Sequence, residues 1–341
     1  MPLLIRTLAS LLLVTLVPAA PVDGVEQHAN ALAMRAAGLT GLVYATTQTA
    51  GQYISQITVN GNVKNVLLDT GSISLWVKDN SGGSGPTFTA NYASGSASGT
   101  QATGTVIVGN MTLPNQVFGK ATSWTSDFDK YDGVLGLSPL VSQFNGQTRS
   151  WLNNIMPKLA EQKFGVNLPQ DVPPKTGTIS FGYYESSHAA TDPIYHAVVD
   201  ADKNTAWNLN IDSFGVPTGD VSLKCLFDTG TTNMMVPYSV AKAYWDQVNG
   251  AVPDNNADSY RWRFPCSSRV PDFVPRIGPH ALVIPGPANV FKLDSVNKWC
   301  GSRLQASQTS STNCVFGQPL FIGQYAVFDY KAKAIGLAPR I

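Results

Sequence analysis

The chain is short of charge. Lysine, arginine, aspartate and glutamate supply 13% of its 341 residues and the net charge is +1, about half the charged share usual for a globular domain. No basic run is long enough to track a phosphate backbone, so a nucleic-acid surface is excluded. Long apolar runs are also missing. The one candidate, Leu8 to Val17, is too short for a bilayer core of about 30 Å, and no membrane span is expected. There are only four histidines, His28, His188, His196 and His280. They are scattered without the spacing of metal ligands, so neither a metal nor a catalytic histidine is expected. The four cysteines, Cys225, Cys266, Cys300 and Cys314, contain no Cys-x-x-Cys pair and have no histidine pair nearby. That argues against zinc; in an oxidising compartment an even number reads as two bridges among three pairings.

What is present is a hydrophobic share of 43%, ample for a large core. The amino terminus places Arg6 ahead of the apolar stretch and small residues at Pro18, Ala19 and Ala20, the pattern of a secretory signal peptide over residues 1–20. A short leader over 21–46 follows. From Tyr53 the texture turns to β: apolar and polar residues alternate, β-branched residues are enriched, and Asn60-Gly61 gives a hairpin signal. Further strands are expected at 104–109, 133–137, 177–182, 206–216, 280–286 and 325–339, and helices only at 149–165 and 239–250. The fold class is mainly β.

The most informative feature is a repeat. "VLLDTGS" ends at Ser72 and "CLFDTGT" at Thr231, nearly half the chain apart, and each is followed by an apolar-apolar-Gly element, Val134-Leu135-Gly136 and Val315-Phe316-Gly317. Two related lobes are the natural inference, 47–190 and 191–341. A single Asp-Thr-Gly would be read as an ordinary turn. Two matched copies face to face would put Asp69 and Asp228 within hydrogen-bonding distance, where two carboxyls share a proton and titrate as a pair. One can then act as base on a water while the other donates to a carbonyl oxygen. Gly71 and Gly230 let the backbone turn and offer N–H donors; Ser72 and Thr231 offer hydroxyls to the outer carboxyl oxygens. No cofactor is needed.

On these motifs the chain from Tyr53 to Ile341 resembles the pepsin-like aspartic endopeptidases in their secreted, fungal-type bilobal form. The resemblance implies two pseudo-twofold-related β lobes, a catalytic dyad at Asp69 and Asp228 supported by Thr70, Gly71, Ser72, Thr229, Gly230 and Thr231, and a flap hairpin over the cleft. "TANYASGSASG" looks like that flap, with Tyr92 as its tyrosine, Ser94, Gly95 and Ser96 at the tip, and Trp76 as the tryptophan whose indole reaches it. Thr232, Trp124 and Phe128 fall where the family contacts substrate, although core packing would also account for the two aromatics. Cys266 and Cys300 lie where these proteins place a second-lobe disulfide. Cys225 and Cys314 sit on segments that run side by side in this fold, so a second bridge is expected, with two buried free thiols as the alternative. Asn110-Met111-Thr112 is a glycosylation sequon.

The implied activity is hydrolysis of extended polypeptides at acidic pH, with a preference for apolar or aromatic residues, by a secreted monomer open to pepstatin-like inhibitors. A vacuolar or lysosome-like acidic compartment is the lesser alternative. A catalytically silent peptide-binding or inhibitor protein on the same fold, and a single-lobed homodimeric protease, are the competing readings; retention of both loops weighs against the first and the duplication against the second. Three positions depart from the family pattern. Gln318 stands where Asp is usual, Ala93 where a flap glycine is usual, and the leader carries only Arg35 as Lys or Arg, which leaves the usual lysine latch out of view.

Overall fold

A computed structural model describes residues 38–47, 52–144, 148–169, 176–201, 205–218, 221–254, 260–294, 296, 298–306 and 314–341. The expected signal peptide, most of the expected leader, and His28 lie outside the described residues. The first half of the chain supplies β1 (Gly41–Thr47), β2 (Tyr53–Val59), β3 (Asn62–Asp69), β4 (Leu75–Lys78), β5 (Thr87–Tyr92), β6 (Gly95–Val108), β7 (Met111–Trp124), β8 (Gly133–Gly136), β9 (Ser142–Gln143), β10 (Thr148–Arg149), β11 (Lys163–Asn167) and β12 (Thr176–Phe181). Asn60 and Gly61 join β2 to β3 with φ of 49° and 80°, the doubly positive turn that suits a right-twisted hairpin.

The second half supplies β13 (Ile194–Ala197), β14 (Asn208–Ile211), β15 (Leu223–Phe227), β16 (Met234–Val236), β17 (Val252–Asp254), β18 (Arg261–Pro265), β19 (Arg276–Ile277), β20 (His280–Ala281), β21 (Val290–Lys292), β22 (Trp299–Ser302), β23 (Leu304–Ala306), β24 (Cys314–Phe316), β25 (Gln324–Asp329) and β26 (Ala334–Pro339). The helices are short: α1 (Trp151–Ile155), α2 (Tyr238–Trp245) and α3 (Gln318–Gly323).

The halves repeat one topology. β3 lies parallel to β8, β8 antiparallel to β4, and β4 parallel to β7; β15, β24, β16 and β23 repeat those relations in the same order. The halves also share strands, since β11 pairs with β25 and β13 with β26 in the sheet that contains β1 and β12. Phe164 of β11 stacks on Phe328 of β25 at 4.8 Å, and one continuous apolar core runs through both halves.

Residues 41–46, placed in the leader from the sequence, lie in β1, where Gly41 to Thr46 pair with Thr176 to Phe181. Two helix expectations change. The helix expected over 149–165 stops at Ile155: a 3-10 turn carries Pro157, and Lys163–Asn167 becomes a strand flanked on both sides. Tertiary pairing there overrides local helical composition. The helix expected over 239–250 likewise ends at Trp245, ahead of Gly250 at φ 76°.

His196 of β13 and His280 of β20, far apart in sequence, meet with Nε2 and Nδ1 2.8 Å apart and rings nearly parallel. One proton can bridge them; two protonated rings would set donor against donor. Burial, then the neighbouring His280, pushes His196 down against an upward pull from Asp212, and burial pushes His280 down. Both rings therefore resist protonation in the folded state. The stability they contribute is complete above the ordinary histidine range near about 6.5 and is lost as pH falls through the lowered values. Thermal unfolding followed by circular dichroism from pH 7.5 to 4.5 should show this loss in the wild type and a flatter profile in His196→Gln; parallel profiles would refute the coupling.

Candidate active site

Each acid is delivered by a strand that runs out beside a glycine. Asp69 ends β3 in register with Gly136 of β8, and the Leu137 N–H donates to the Asp69 carbonyl at 2.7 Å. Asp228 follows β15, its N–H donating to the Phe316 carbonyl of β24 at 3.0 Å. A Cβ at Gly136 would stand 2.4 Å from the Ile73 carbonyl carbon, and one at Gly317 would stand 2.2 Å from the Asn233 carbonyl oxygen. These separations are far inside van der Waals contact, so the glycine that closes each apolar-apolar-Gly element lets the acid loop fold over the strand beneath it.

The acids then face each other. The Gly71 N–H donates to Asp69 Oδ1 at 2.9 Å and to Asp228 Oδ1 at 3.1 Å, so one amide serves both carboxyls. The Gly230 N–H donates to Asp228 Oδ1 at 2.8 Å and the Ser72 N–H to Asp69 Oδ1 at 3.1 Å. The backbone turns at Thr70-Gly71 and at Thr229-Gly230, but neither glycine has a positive φ, so the turn alone does not demand glycine. Close approach is the reason: a Cβ on Gly71 would lie 2.6 Å from Asp228 Cγ, and one on Gly230 2.6 Å from Asp69 Cγ.

Thr70 and Thr229 join the loops. Thr70 Oγ1 donates to the Phe227 carbonyl at 2.8 Å and accepts from the Thr229 N–H at 2.9 Å. Thr229 Oγ1 donates to the Leu68 carbonyl at 2.8 Å and accepts from the Thr70 N–H at 3.1 Å. The next residues break this symmetry. Thr231 Oγ1 donates to Asp228 Oδ2 at 2.5 Å; Ser72 Oγ is buried without a hydrogen bond of comparable geometry, although its hydroxyl still pulls the Asp69 pKa down. Both acids are buried, 5% and 8% exposed. Burial first, then the charge of Asp228 and a hydrogen bond with it, hold the Asp69 carboxyl well above the usual carboxylate range.

The hairpin of β5 and β6 pairs Tyr92 with Gly95, so its tip is Ala93 and Ser94, one position earlier than expected. The Trp76 indole N–H donates to the Tyr92 hydroxyl at 2.7 Å. Phe128, buried, meets Trp76, Tyr92 and Tyr131 edge-on. Burial, then the charge of Asp69, raises the Tyr131 hydroxyl pKa, so this ring belongs to the same neighbourhood; its place before Asp132-Gly133 was its only sequence signal. Trp124 instead donates its indole N–H to Asp129 at 3.0 Å, with the Lys78 ammonium 4.8 Å from its ring. Thr232 is part-buried, its carbonyl accepting from Arg303 at 3.4 Å.

Gln318, in place of the usual acid, is buried: Arg303 donates to its Oε1 at 3.1 Å and its Nε2 donates to the Tyr53 hydroxyl at 3.4 Å. Both disulfides form, Cys225–Cys314 and Cys266–Cys300, and the first joins β15 to β24 three residues before Asp228. The alternative of two free thiols is thereby set aside. Asn110 is exposed where β6 turns into β7. Among the described residues no group of three or more His, Cys, Asp or Glu is placed to hold a metal ion, and no helix is long and apolar enough to cross a membrane.

Comparison with known proteins identifies the family. The family model for eukaryotic aspartyl protease matches residues 80–340, a span that takes in the second Asp loop and begins after the first. The aspartic protease pepA of Arthroderma gypseum is 31% identical over 86% of this chain and 81% of its own length. Penicillopepsin-1 of Penicillium janthinellum is 30% identical over 87% of this chain and 98% of its own. The crystal structure of the aspartic proteinase from Irpex lacteus superposes with a TM-score of 0.76 at 22% identity, covering 89% of this chain and 98% of that one, which bears on the fold.

The raised Asp69 pKa has a thermodynamic sign. An unfolded aspartate ionises near about 3.9, while the folded one keeps its proton to higher pH. Its contribution is therefore greatest in acid and declines as pH rises toward the folded value. Asp69→Asn should melt close to the wild type at pH 3 and above it at pH 7; calorimetry showing equal shifts at both values would contradict this account.

Proposed function

Because the chain belongs to the eukaryotic aspartyl protease family and is an aspartic endopeptidase, we propose that it cleaves extended polypeptides in acid through a water held between Asp69 and Asp228. The observation that carries this reading is the Gly71 N–H shared by both carboxyls. It requires the two acids to lie side by side, where a single proton between them is the stable arrangement. The ionised carboxyl takes a proton from the water, whose oxygen forms a bond to the peptide carbonyl carbon. The protonated carboxyl gives its proton to the carbonyl oxygen, and a tetrahedral diol results. The carboxyl that took the water proton then gives it to the amide nitrogen while the other, now ionised, takes a proton from a diol hydroxyl. The C–N bond breaks to release acid and amine with one proton left on the pair. The N–H groups of Gly71, Gly230 and Ser72 and the Thr231 hydroxyl are fixed before substrate arrives, so little reorganisation is needed during the reaction.

The flap reading rests on Tyr92, with Trp76 bracing its hydroxyl and Phe128 its ring. A preference for apolar or aromatic residues next to the scissile bond is assigned to the part-buried ring of Tyr92, with Phe128, itself buried, backing it. Thr232 and the flap residues Ser94 and Gly95 are assigned to the cleft. Secretion, with removal of residues 1–20, is supported by the signal-like amino terminus, the low charge and the two disulfides. Asn110 is assigned as a glycan acceptor and the mature chain as a monomer of two lobes meeting near residue 190. Pepstatin, a mimic of the tetrahedral state, should occupy the dyad.

The test is cleavage of denatured protein between pH 3 and 7, using the full chain after exposure to acid. Activity should be confined to the acid side and abolished by pepstatin, and Asp69→Asn and Asp228→Asn should each lower kcat by about 100- to 10,000-fold. Pepstatin-insensitive cleavage, or activity surviving either substitution, would overturn the dyad. Gly71→Ala inserts a methyl group where Asp228 already stands, and displacement on that scale should reduce kcat/KM by roughly 100-fold in steady-state assays while leaving the disulfides formed.

A further inference from the structure

The segment that follows β7 carries a threonine in an unusual arrangement. Thr125 occupies the N-cap position of a 3-10 turn, Ser126–Phe128, with extended backbone angles, yet its side chain makes no capping bond. Threonine at such a position ordinarily satisfies a backbone N–H of its own helix. Here the hydroxyl is turned to the flap: Thr125 Oγ1 accepts from the Ser96 N–H at 3.3 Å, while the Thr125 N–H donates to the Ser96 carbonyl at 3.0 Å.

The reason lies in the backbone. β6 and β7 pair as far as Ala97 with Trp124. One step further an antiparallel ladder would call on the Thr125 carbonyl to accept from Ser96. That carbonyl already accepts the Phe128 N–H at 3.0 Å in the 3-10 turn, and the side-chain hydroxyl takes its place. Gly95 makes the fit possible: a Cβ there would lie 1.9 Å from Thr125 Oγ1. The same short turn also grips the incoming arm, since Phe128 meets the Tyr92 ring edge-on at 5.1 Å.

We propose that Thr125 is a positioning residue that clamps the outgoing arm of the flap, confining flap movement to the Ala93–Ser94 tip. The proposal rests on the protease reading for its consequence, although the clamp itself is a property of the free protein. With the arm fixed to residue 95, Tyr92 is held over the cleft by three attachments: the Trp76 indole, the Phe128 ring and the Gly95–Ser96 backbone. Substrate then enters by displacing a short tip instead of lifting a long hairpin, and the ordering of that tip is completed before binding.

Thr125→Val keeps the shape and removes the acceptor; Thr125→Ser restores it. Hydrogen–deuterium exchange on the free protein should show the Ser96 amide exchanging at least about fivefold faster in Thr125→Val, the equivalent of one net hydrogen bond. Amides of residues 106–108 should be unchanged and the serine variant should match the wild type. With an extended peptide, the valine variant should raise KM about three- to tenfold with a smaller change in kcat, and serine should reverse it. Gly95→Ala, which drives a methyl group into the hydroxyl, should reproduce the valine phenotype. Unchanged exchange at Ser96 in Thr125→Val would overturn the clamp, as would a rise spread over the whole first half. Faster exchange with an unaltered KM would overturn the positioning role. A wild type that cuts nothing would count against the protease reading alone, because the exchange comparison is made without substrate.

Discussion

The structure turns on the interlock of Thr70 with Thr229. Each hydroxyl accepts from the other threonine's N–H and donates to the carbonyl preceding the opposite aspartate. Both residues are all but completely buried, so leaving any of these groups unpaired would cost on the order of 1–3 kcal/mol. The set is closed only when the two loops stand in one relative position. That position fixes the separation of the acids, and the separation leaves no room for a Cβ at Gly71 or Gly230. The loops in turn can fold so tightly only because Gly136 and Gly317 lie under them. The sharing of β11, β25 and neighbouring strands between halves carries the same constraint outward into the core.

Opposing proton responses sit on this frame. Burial and a facing carboxylate make the folded protein favour a protonated Asp69, a preference satisfied in acid. Burial makes the same fold favour neutral His196 and His280, a preference satisfied nearer neutrality. The dyad lies where the halves meet, whereas the histidine pair joins β13 of the shared sheet to a small hairpin of the second half. Acid therefore relieves the charge strain at the paired acids while loosening a peripheral attachment. The two effects differ in location as well as in sign.

The parts legible in the sequence were those where chemistry repeats or local geometry is forced. Asp-Thr-Gly appears twice because each half presents one acid of the facing pair, and Asn60-Gly61 announces its turn because few other residue pairs accept two positive φ values. The two apolar-apolar-Gly elements were legible as a repeat, although the collisions that require their glycines were not. Partners chosen by tertiary packing left little trace. Nothing local distinguishes Lys163–Asn167 from a helix, because its neighbours come from distant segments. His196 and His280 are joined only by the fold. Thr125 carried no signal of its own, since its use on Ser96 depends on a carbonyl already engaged elsewhere. Ser72 and Thr231 looked equivalent in sequence and differ in the structure.

That last difference fits a wider asymmetry between the halves. Threonine's branched side chain is restricted at χ1 and holds its hydroxyl on Asp228 at 2.5 Å, while the unbranched Ser72 makes no hydrogen bond of comparable geometry to Asp69. The Asp228 strand is also tied to its neighbour by Cys225–Cys314, and the first half has no cysteine at all. Conversely, the β5–β6 hairpin, its tyrosine and its brace on Trp76 all belong to the first half. The second loop is thus covalently and sterically fixed, and the first carries the adaptable parts. With the threonine interlock holding the two acids in one geometry, adaptation to a substrate can take place on the first-half side without altering the distance between the carboxyls.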